Sequence, residues 1–437
     1  MPYSRLRKTA VLLGAGALAL SACGGSDSSG PEAGSGTGTI DVWAHEGQEG
    51  EVDALKAAVD TFNSSQSDVT VDLRLIPEAD YTQTVQATAV DELPDVLEYD
   101  GPLLASLVYD GKLGPISDFV SSETVDNQTD AVVAQNTYSG DDALYGVSMF
   151  DSGLGIYGNK AMLDAAGVEY PTTAEDAWTA EDFTAALEAL AAEDDDGKVL
   201  DIKEQYGGEW PAYGFLPIVA SAGEQVIVDN SADSLASEPV VSAVETFASW
   251  RDYVDPNSDD TAFVDGKVAL SWVGHWMYGD YSEALGDDLV VMPLPDFGNG
   301  SKSGQGSWAW GISSSSDNAS AAGSFMDTLM ADEAVGAMTE ANSAPPGTLS
   351  ALESSELYKE GGPLQLFADQ LAATCGTDAP TPDCVTVPRP VTPAYPTISA
   401  DFSSAFFAAY QGGDAQEQMD KAVSSINLAY KDNDNYE

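Results

Sequence analysis

The sequence predicts an α/β fold divided between two lobes, and three observations carry that expectation. Its first hundred residues alternate strand and helix signals. The chain is 437 residues long, enough for two ordinary hydrophobic cores. Three stretches, "SMFDSG", "PLPDFG" and "SAPPG", set Gly or Pro at the end of a periodic segment, as crossings between lobes would.

The elements follow in order. "TIDVW" (residues 39–43) alternates Ile40 and Val42 as a strand does, and Val52, Leu55, Val59 and Phe62 then recur at helical spacing. In "VTVDLRLI" (69–76), Val69, Val71, Leu73 and Leu75 share one face of a second strand. "YTQTVQATAVDE" (81–92) reads as a helix stopped by Pro94, and Val96 and Leu97 open a third strand. This β-α-β-α-β order favours a parallel sheet, whose ligands bind beyond the carboxyl ends of the strands. Those ends carry Trp43, His45 and Glu46, then Glu78 and Tyr81, then Tyr99 and Asp100. Further on, the patterns predict helices near 180–192, 319–329, 364–372, 399–410 and 415–430. Another helix carries the stripe Val240, Val244, Phe247 and Trp250. "VALSWVGHW" and "LVVMPLP" supply strands, with Gly274 expected to end the first of them before Trp276. The crossings divide the chain into a first lobe of residues 39–149 and 296–344 and a second of 150–295 and 345–437.

The N-terminus reads as an export signal. Arg5, Arg7 and Lys8 precede an uncharged run from Ala10 to Leu20 that is too short for a permanent membrane helix. Leu20-Ser21-Ala22-Cys23 resembles the bacterial lipobox, which implies removal of residues 1–22 and acylation of Cys23. The Gly/Ser/Thr-rich segment that follows, to residue 38, has the composition of a flexible tether.

Charge and cysteine usage narrow the function classes. The formal net charge is −56, from 16 Lys+Arg against 72 Asp+Glu. The signal holds Arg5, Arg7 and Lys8 and no acid, so the exported chain is more acidic still. A nucleic-acid partner is excluded on that balance, since phosphates must be neutralised by Lys and Arg. At 43% hydrophobic residues the chain is not generally disordered. In an exported protein, Cys375 and Cys384 at the ends of "CGTDAPTPDC" fit a disulfide better than a metal pair. Zinc is disfavoured because His45 and His275 are the only histidines and lie far apart. "EDDDGKVLDIKE" (193–204) misses the calcium-loop register: with Gly197 at position 6, Ala192 and Lys203 fall where carboxylates are needed. We expect neither cofactor nor metal, and a monomer.

Several fragments in fixed order carry a resemblance. They are "IDVWAHEGQEGEVDALKAAVDTFN", "LPDVLEYD", "LYGVSMFDSGLGIYGNKAML", "FVDGKVALSWVGHW", "VVMPLPDFGNG", "GQGSWAWGIS" and "NSAPPGTLS". With the lipobox, they make residues 40–430 resemble the extracellular solute-binding proteins of ABC importers, in the large family that includes maltose-binding protein and other sugar binders. The resemblance implies a periplasmic-binding-protein-like fold with discontinuous lobes, a hinge and an interlobe ligand cleft. It also implies capture of a carbohydrate and its delivery to the membrane subunits of an ABC transporter. The crossover departs from the family pattern at Tyr157-Gly158-Asn159-Lys160. This leaves Asp151 or Ser152 at a ligand-facing position, and Asp151 is preferred for its carboxylate.

A sugar site asks for aromatic faces to stack on the ring and for groups that accept hydrogen bonds from hydroxyls. By resemblance the ligand-facing residues are Trp43, His45, Glu46, Tyr99, Asp100, Asp151, Tyr213, Trp276, Trp308 and Phe402, with Trp210, Trp272 and Trp310 as reserves. Two other function classes compete. A cationic solute such as a polyamine would face Glu46, Asp100 and Asp151. An anchored glycoside hydrolase would need two positioned carboxylates, but no G-x-S-x-G or HExxH motif or phosphate-cradling loop accompanies them.

Overall fold

The computed structural model describes residues 30–256, 261–376 and 378–436. The signal segment, the lipobox and Cys23 lie outside them. The first strand, β1 (Gly38–Glu46), buries Ile40, Val42 and Ala44 on one face, the period-2 alternation that its sequence carries. Helix α1 (Glu49–Ser65) starts where Glu51 accepts the Gln48 backbone N–H at 2.9 Å, and it buries Leu55, Ala58, Val59 and Phe62 along one stripe. Strand β2 (Val69–Pro77) runs parallel to β1 over its whole length, from Gly38 opposite Val69 to Glu46 opposite Pro77. Helix α2 (Glu78–Ala87) begins immediately after it. Strand β3 (Val96–Asp100) lies parallel on the other side of β1, with all five residues buried.

The late strand Trp308–Ser313 enters this sheet antiparallel to β3, with Trp308 opposite Asp100 and Ile312 opposite Val96. Its far edge takes the short strands Leu113–Gly114 and Gly146–Val147. Helices Ala319–Leu329 and Asp332–Asn342 pack their apolar faces on the same core as α1. The second sheet has the order Leu289–Met292, Leu154–Asn159, Leu270–Gly274, Leu200–Asp201 and is mostly antiparallel. Its core is a separate aromatic-rich cluster built with helices Glu238–Ser249, Tyr395–Tyr410 and Ala415–Asp432. The architecture is two α/β lobes, each assembled from discontinuous stretches of chain.

Asp151 joins the three crossings. Its backbone N–H donates to Pro345 C=O at 2.8 Å, and its Oδ1 accepts from the N–H of Gly306 at 3.2 Å and of Ser152 at 2.8 Å. Gln135 donates to Oδ2 at 3.3 Å. A short carboxylate can accept several backbone N–H groups at once, so one side chain knits segments distant in sequence.

Two expectations are corrected here. The return to the first lobe does not begin at Asp296. Asp296 bridges Thr179, Phe297 N–H donates to Ser221 Oγ at 2.8 Å, and Ser303–Gln305 pairs with Thr386–Pro388. The chain leaves the second lobe only at Gly306, because the Pro and Gly of "PLPDFG" make a turn within that lobe rather than a crossing. The described end of the expected tether is also pinned. Glu32 N–H donates to Ser316 C=O at 2.8 Å, Ala319 N–H donates to Glu32 C=O at 2.9 Å, and Gly36 N–H donates to Asn318 Oδ1 at 3.1 Å. Gly34 adopts φ +66° against Asp317, a conformation that glycine alone takes readily. Cys375 and Cys384 form a disulfide, and Cys375 N–H donates to Thr386 C=O at 2.8 Å, beside the Ser303–Gln305 pairing.

Candidate functional site

The lobes meet at a buried ion pair. Asp100, the last residue of β3, receives Arg389 through two parallel bonds, Nη1 to Oδ2 at 2.6 Å and Nη2 to Oδ1 at 2.5 Å. Arg389 follows the strand Thr386–Pro388 on the second lobe, so the pair spans the space between lobes. Both side chains are at least nine-tenths buried. Planar guanidinium and carboxylate match in this geometry, and such pairs are the stronger charge-assisted bonds. Arg389 Nη1 also reaches Glu209 Oε1 at 3.2 Å. Glu209 in turn accepts from the hydroxyls of Tyr395 and Ser399, the latter at 2.7 Å. Burial and the nearby Asp100 push the Glu209 carboxyl up to about 7 against the opposing pull of Arg389.

Aromatic rings flank the pair. The guanidinium lies 4.8 Å over the Tyr213 ring, and Tyr213 tilts against Trp276 at 6.2 Å. Trp276 sits on the turn His275–Met277 that follows the strand Leu270–Gly274, so the strand does end at Gly274. A Cβ on Gly274 would lie 2.0 Å from the Trp276 ring; glycine lets the half-buried indole fold back over the strand end and meet Trp210 edge-on at 6.0 Å. Gln48, at the start of α1, donates to the Trp276 carbonyl at 3.4 Å, which brings this turn against the first lobe.

Behind Tyr213 runs a hydrogen-bond chain whose direction is determined by its end. His275 Nδ1 must donate to the Asn342 carbonyl at 3.0 Å, and burial pushes this histidine down to about 4, so its ring is neutral. Nε2 therefore accepts from Ser152 Oγ at 3.1 Å, and Ser152 accepts from the Tyr213 hydroxyl at 2.7 Å.

On the first lobe, Trp308 stands opposite Asp100 across the β3 pairing. His45 stacks on its indole at 4.0 Å and 12°. The His45 Nδ1–H donates to Glu98 Oε2 at 2.7 Å.

The residues expected from sequence therefore separate. Asp100, Tyr213 and Trp276 lie where the lobes meet, and His45 stacks on Trp308 within the first lobe, beside Asp100. Glu46 is exposed at the end of β1, and Trp43 is half-buried under the Arg74 guanidinium at 4.6 Å. Phe402 is not ligand-facing: it is fully buried in the helix Tyr395–Tyr410 and stacks on Phe406. Tyr99 is also core, since β3 points it away from Asp100 and its hydroxyl donates to Asn136 Oδ1 at 2.7 Å. Asp151 is committed to the crossings, and its neighbour Ser152 meets Tyr213 instead. Of the reserves, Trp272 and Trp310 are core, and Trp210 is buried with its indole N–H on Ile202 C=O. Arg389, Glu209 and Glu98 were missed. Arg389 carried a signal, a basic residue between two prolines in a chain with only 16 Lys+Arg.

Comparison with known proteins agrees with this architecture. A family model described as bacterial extracellular solute-binding protein matches residues 57–363. A probable sugar-binding periplasmic protein of Rhizobium meliloti (strain 1021) is 25% identical over an alignment of 276 residues that covers 58% of this chain and 62% of that relative's length. Among solved structures, the GacH receptor of Streptomyces glaucescens GLA.O, studied unliganded and with acarbose, superposes with a TM-score of 0.73 at 20% identity, covering 91% of this chain and 98% of that one. The cyclic alpha-maltosyl-1,6-maltose binding protein of Arthrobacter globiformis gives 0.70 at 24% identity, covering 91% and 100%. The maltotriose binding protein of Thermus thermophilus, bound with maltotriose, gives 0.70 at 21% identity, covering 89% and 99%.

Proposed function

Because the chain belongs to the bacterial extracellular solute-binding protein family, we propose that it captures a neutral carbohydrate between its lobes and delivers it to the membrane subunits of an ABC transporter. As a member of that family it binds and releases its solute rather than transforming it. The observation that carries the sugar reading is the grouping of three partly or wholly buried aromatics, Tyr213, Trp276 and Trp308, around the Asp100–Arg389 pair. Flat rings accept the C–H face of a pyranose, and a charged fork beside them exchanges hydrogen bonds with vicinal hydroxyls. Arg389 Nε is buried and has no hydrogen-bond partner among the described residues, so one donor of the fork remains for a hydroxyl oxygen. Sugar-binding names among the relatives support the same class. Opening and closing of the lobes about the crossings would admit and enclose the sugar.

The cationic-solute reading loses the acids on which it depends. Asp100 is paired with Arg389 and Asp151 with backbone N–H groups, and of the three only Glu46 stays exposed. A thermal-shift screen of the exported domain, with mono- and oligosaccharides and spermidine at low and high salt, tests the choice. A sugar at a hundredfold excess over its Kd should add about 2.7 kcal/mol of stability, with little change as salt rises. Stabilisation by spermidine alone, lost at high salt, would overturn the reading.

Cys23 is the proposed acyl anchor, on the strength of the preceding Leu20-Ser21-Ala22 and the charged start. Cys23→Ala should transfer the protein from the membrane to the soluble fraction. A variant that still sediments wholly with membranes would refute the anchor.

A further inference from the structure

We propose that Glu98 and His45 act as positioning residues for Trp308: the Glu98 carboxylate fixes the His45 ring, and the ring fixes the indole as a preformed platform of the first lobe. The proposal rests on the reading of Trp308 as a sugar-stacking surface. It gives His45 a role distinct from the direct ligand contact expected of it, and gives Glu98 a role where the sequence suggested none.

Glu98 lies in the middle of β3 and is almost wholly buried, where a lone carboxylate would be costly. One of its oxygens, Oε2, accepts twice from the same residue, from the backbone N–H of His45 at 3.2 Å and from its Nδ1–H at 2.7 Å. The two bonds hold both the backbone and the ring of His45 at the end of β1. The ring then lies flat on Trp308 at 4.0 Å and 12°. Tyr81 of α2 closes the edge, 5.6 Å from Trp308 and 6.4 Å from His45, and its hydroxyl donates to the carbonyls of Trp43 and Glu98. The indole is thus held on one face and one edge yet stays half-buried, which leaves surface for a ligand. An aromatic already fixed in place loses less freedom on binding, so more of its contact energy appears as affinity.

The pair is electrostatic as well as steric. Burial by itself would lower the His45 pKa. Glu98, aided by Glu51 of α1 and Glu78 of α2, overrides burial and raises it to about 9. Tyr81, whose own pKa burial pushes well up, is neutral beside it. At neutral pH an imidazolium therefore faces the indole, adding a cation–π attraction to the stack. Because the folded value exceeds the ordinary 6.5, this stabilisation is complete below about pH 6.5 and is lost as pH rises through about 9.

The chain holds only two histidines, so the imidazole C–H signals in an NMR titration of the unliganded protein are directly assignable. One should titrate near pH 9, and in Glu98→Gln the same signal should titrate well below that. The Trp308 emission, taken as wild type minus Trp308→Phe, should be quenched while His45 is protonated. It should recover through the same pH range, follow the shift in Glu98→Gln, and show no transition in His45→Gln. Maltotriose, maltose and the other sugars of the screen then read binding: Glu98→Gln should weaken the best of them about tenfold at pH 8, roughly 1.4 kcal/mol, and by less at pH 5.5, where His45 can carry its charge without the carboxylate. A loss equal at both pH values, or Trp308 emission indifferent to the His45 titration, would overturn the relay. If no sugar binds the wild type, the sugar reading fails while the NMR and emission results still judge the pair.

Discussion

Trp276→Ala should abolish sugar-induced stabilisation and leave the melting temperature of the unliganded protein nearly unchanged. The expectation follows from where the indole lies. It is half-buried on the turn after Leu270–Gly274, while its neighbours His275 and Met277 are buried and hold that turn without it. Its ring folds over Gly274 and touches Trp210 and Tyr213 only edge-on or tilted, so truncation removes a surface rather than a keystone. Loss of an aromatic anchor from a binding site typically costs ~2 kcal/mol or more of binding energy. Trp272→Ala is the control. That side chain, two residues before Gly274, is fully buried and gives its N–H to Gly214 C=O, and its truncation should cost about 3–5 kcal/mol of folding stability. Unfolding of Trp276→Ala at the temperatures where Trp272→Ala unfolds would make Trp276 a core residue and leave Trp308 and Tyr213 as the platforms.

Arg389→Ala is expected to destabilise the protein by about 3–5 kcal/mol and to end sugar binding. The size of the effect comes from what remains. Asp100 loses both of its guanidinium bonds while staying buried, and Glu209, half-buried beside it, keeps only the hydroxyls of Tyr395 and Ser399. Replacing one partner of a buried pair is more damaging than replacing both, because the unpaired charge stays desolvated. Arg389→Ala combined with Asp100→Asn should therefore recover much of the stability in a denaturant melt without recovering the sugar response. A single variant as stable as the wild type would show that the ion pair does not hold the lobes together.

What the sequence determined by itself was the local order of the first lobe and the positions where strands end. Alternation in Ile40 and Val42 and the stripe Leu55, Val59 and Phe62 each depend on a few neighbouring residues, and β1, α1, β2 and β3 appear where those patterns lie. The helix expected over 81–92 instead runs from Glu78 to Ala87, and a separate turn at Val90–Glu92, not Pro94, follows its end. Gly274 ends its strand for an equally local reason. The tertiary structure alone decided which aromatics belong to the core. Periodicity says which residues share a face but not what covers it, so Trp272 and Trp276, four residues apart, are indistinguishable until the turn at His275 separates them. Tyr99 and Asp100 point to opposite faces of β3, and only the layer beyond each face makes one core and the other the partner of Arg389 between lobes. The resemblance implied a ligand-facing role for Phe402 as for Trp308, but its helix is enclosed by the second core. The pair Asp100–Arg389 lies 289 residues apart in the chain. No local pattern encodes such a contact, since it exists only when the two lobes bring a strand end and a proline-flanked arginine to one place.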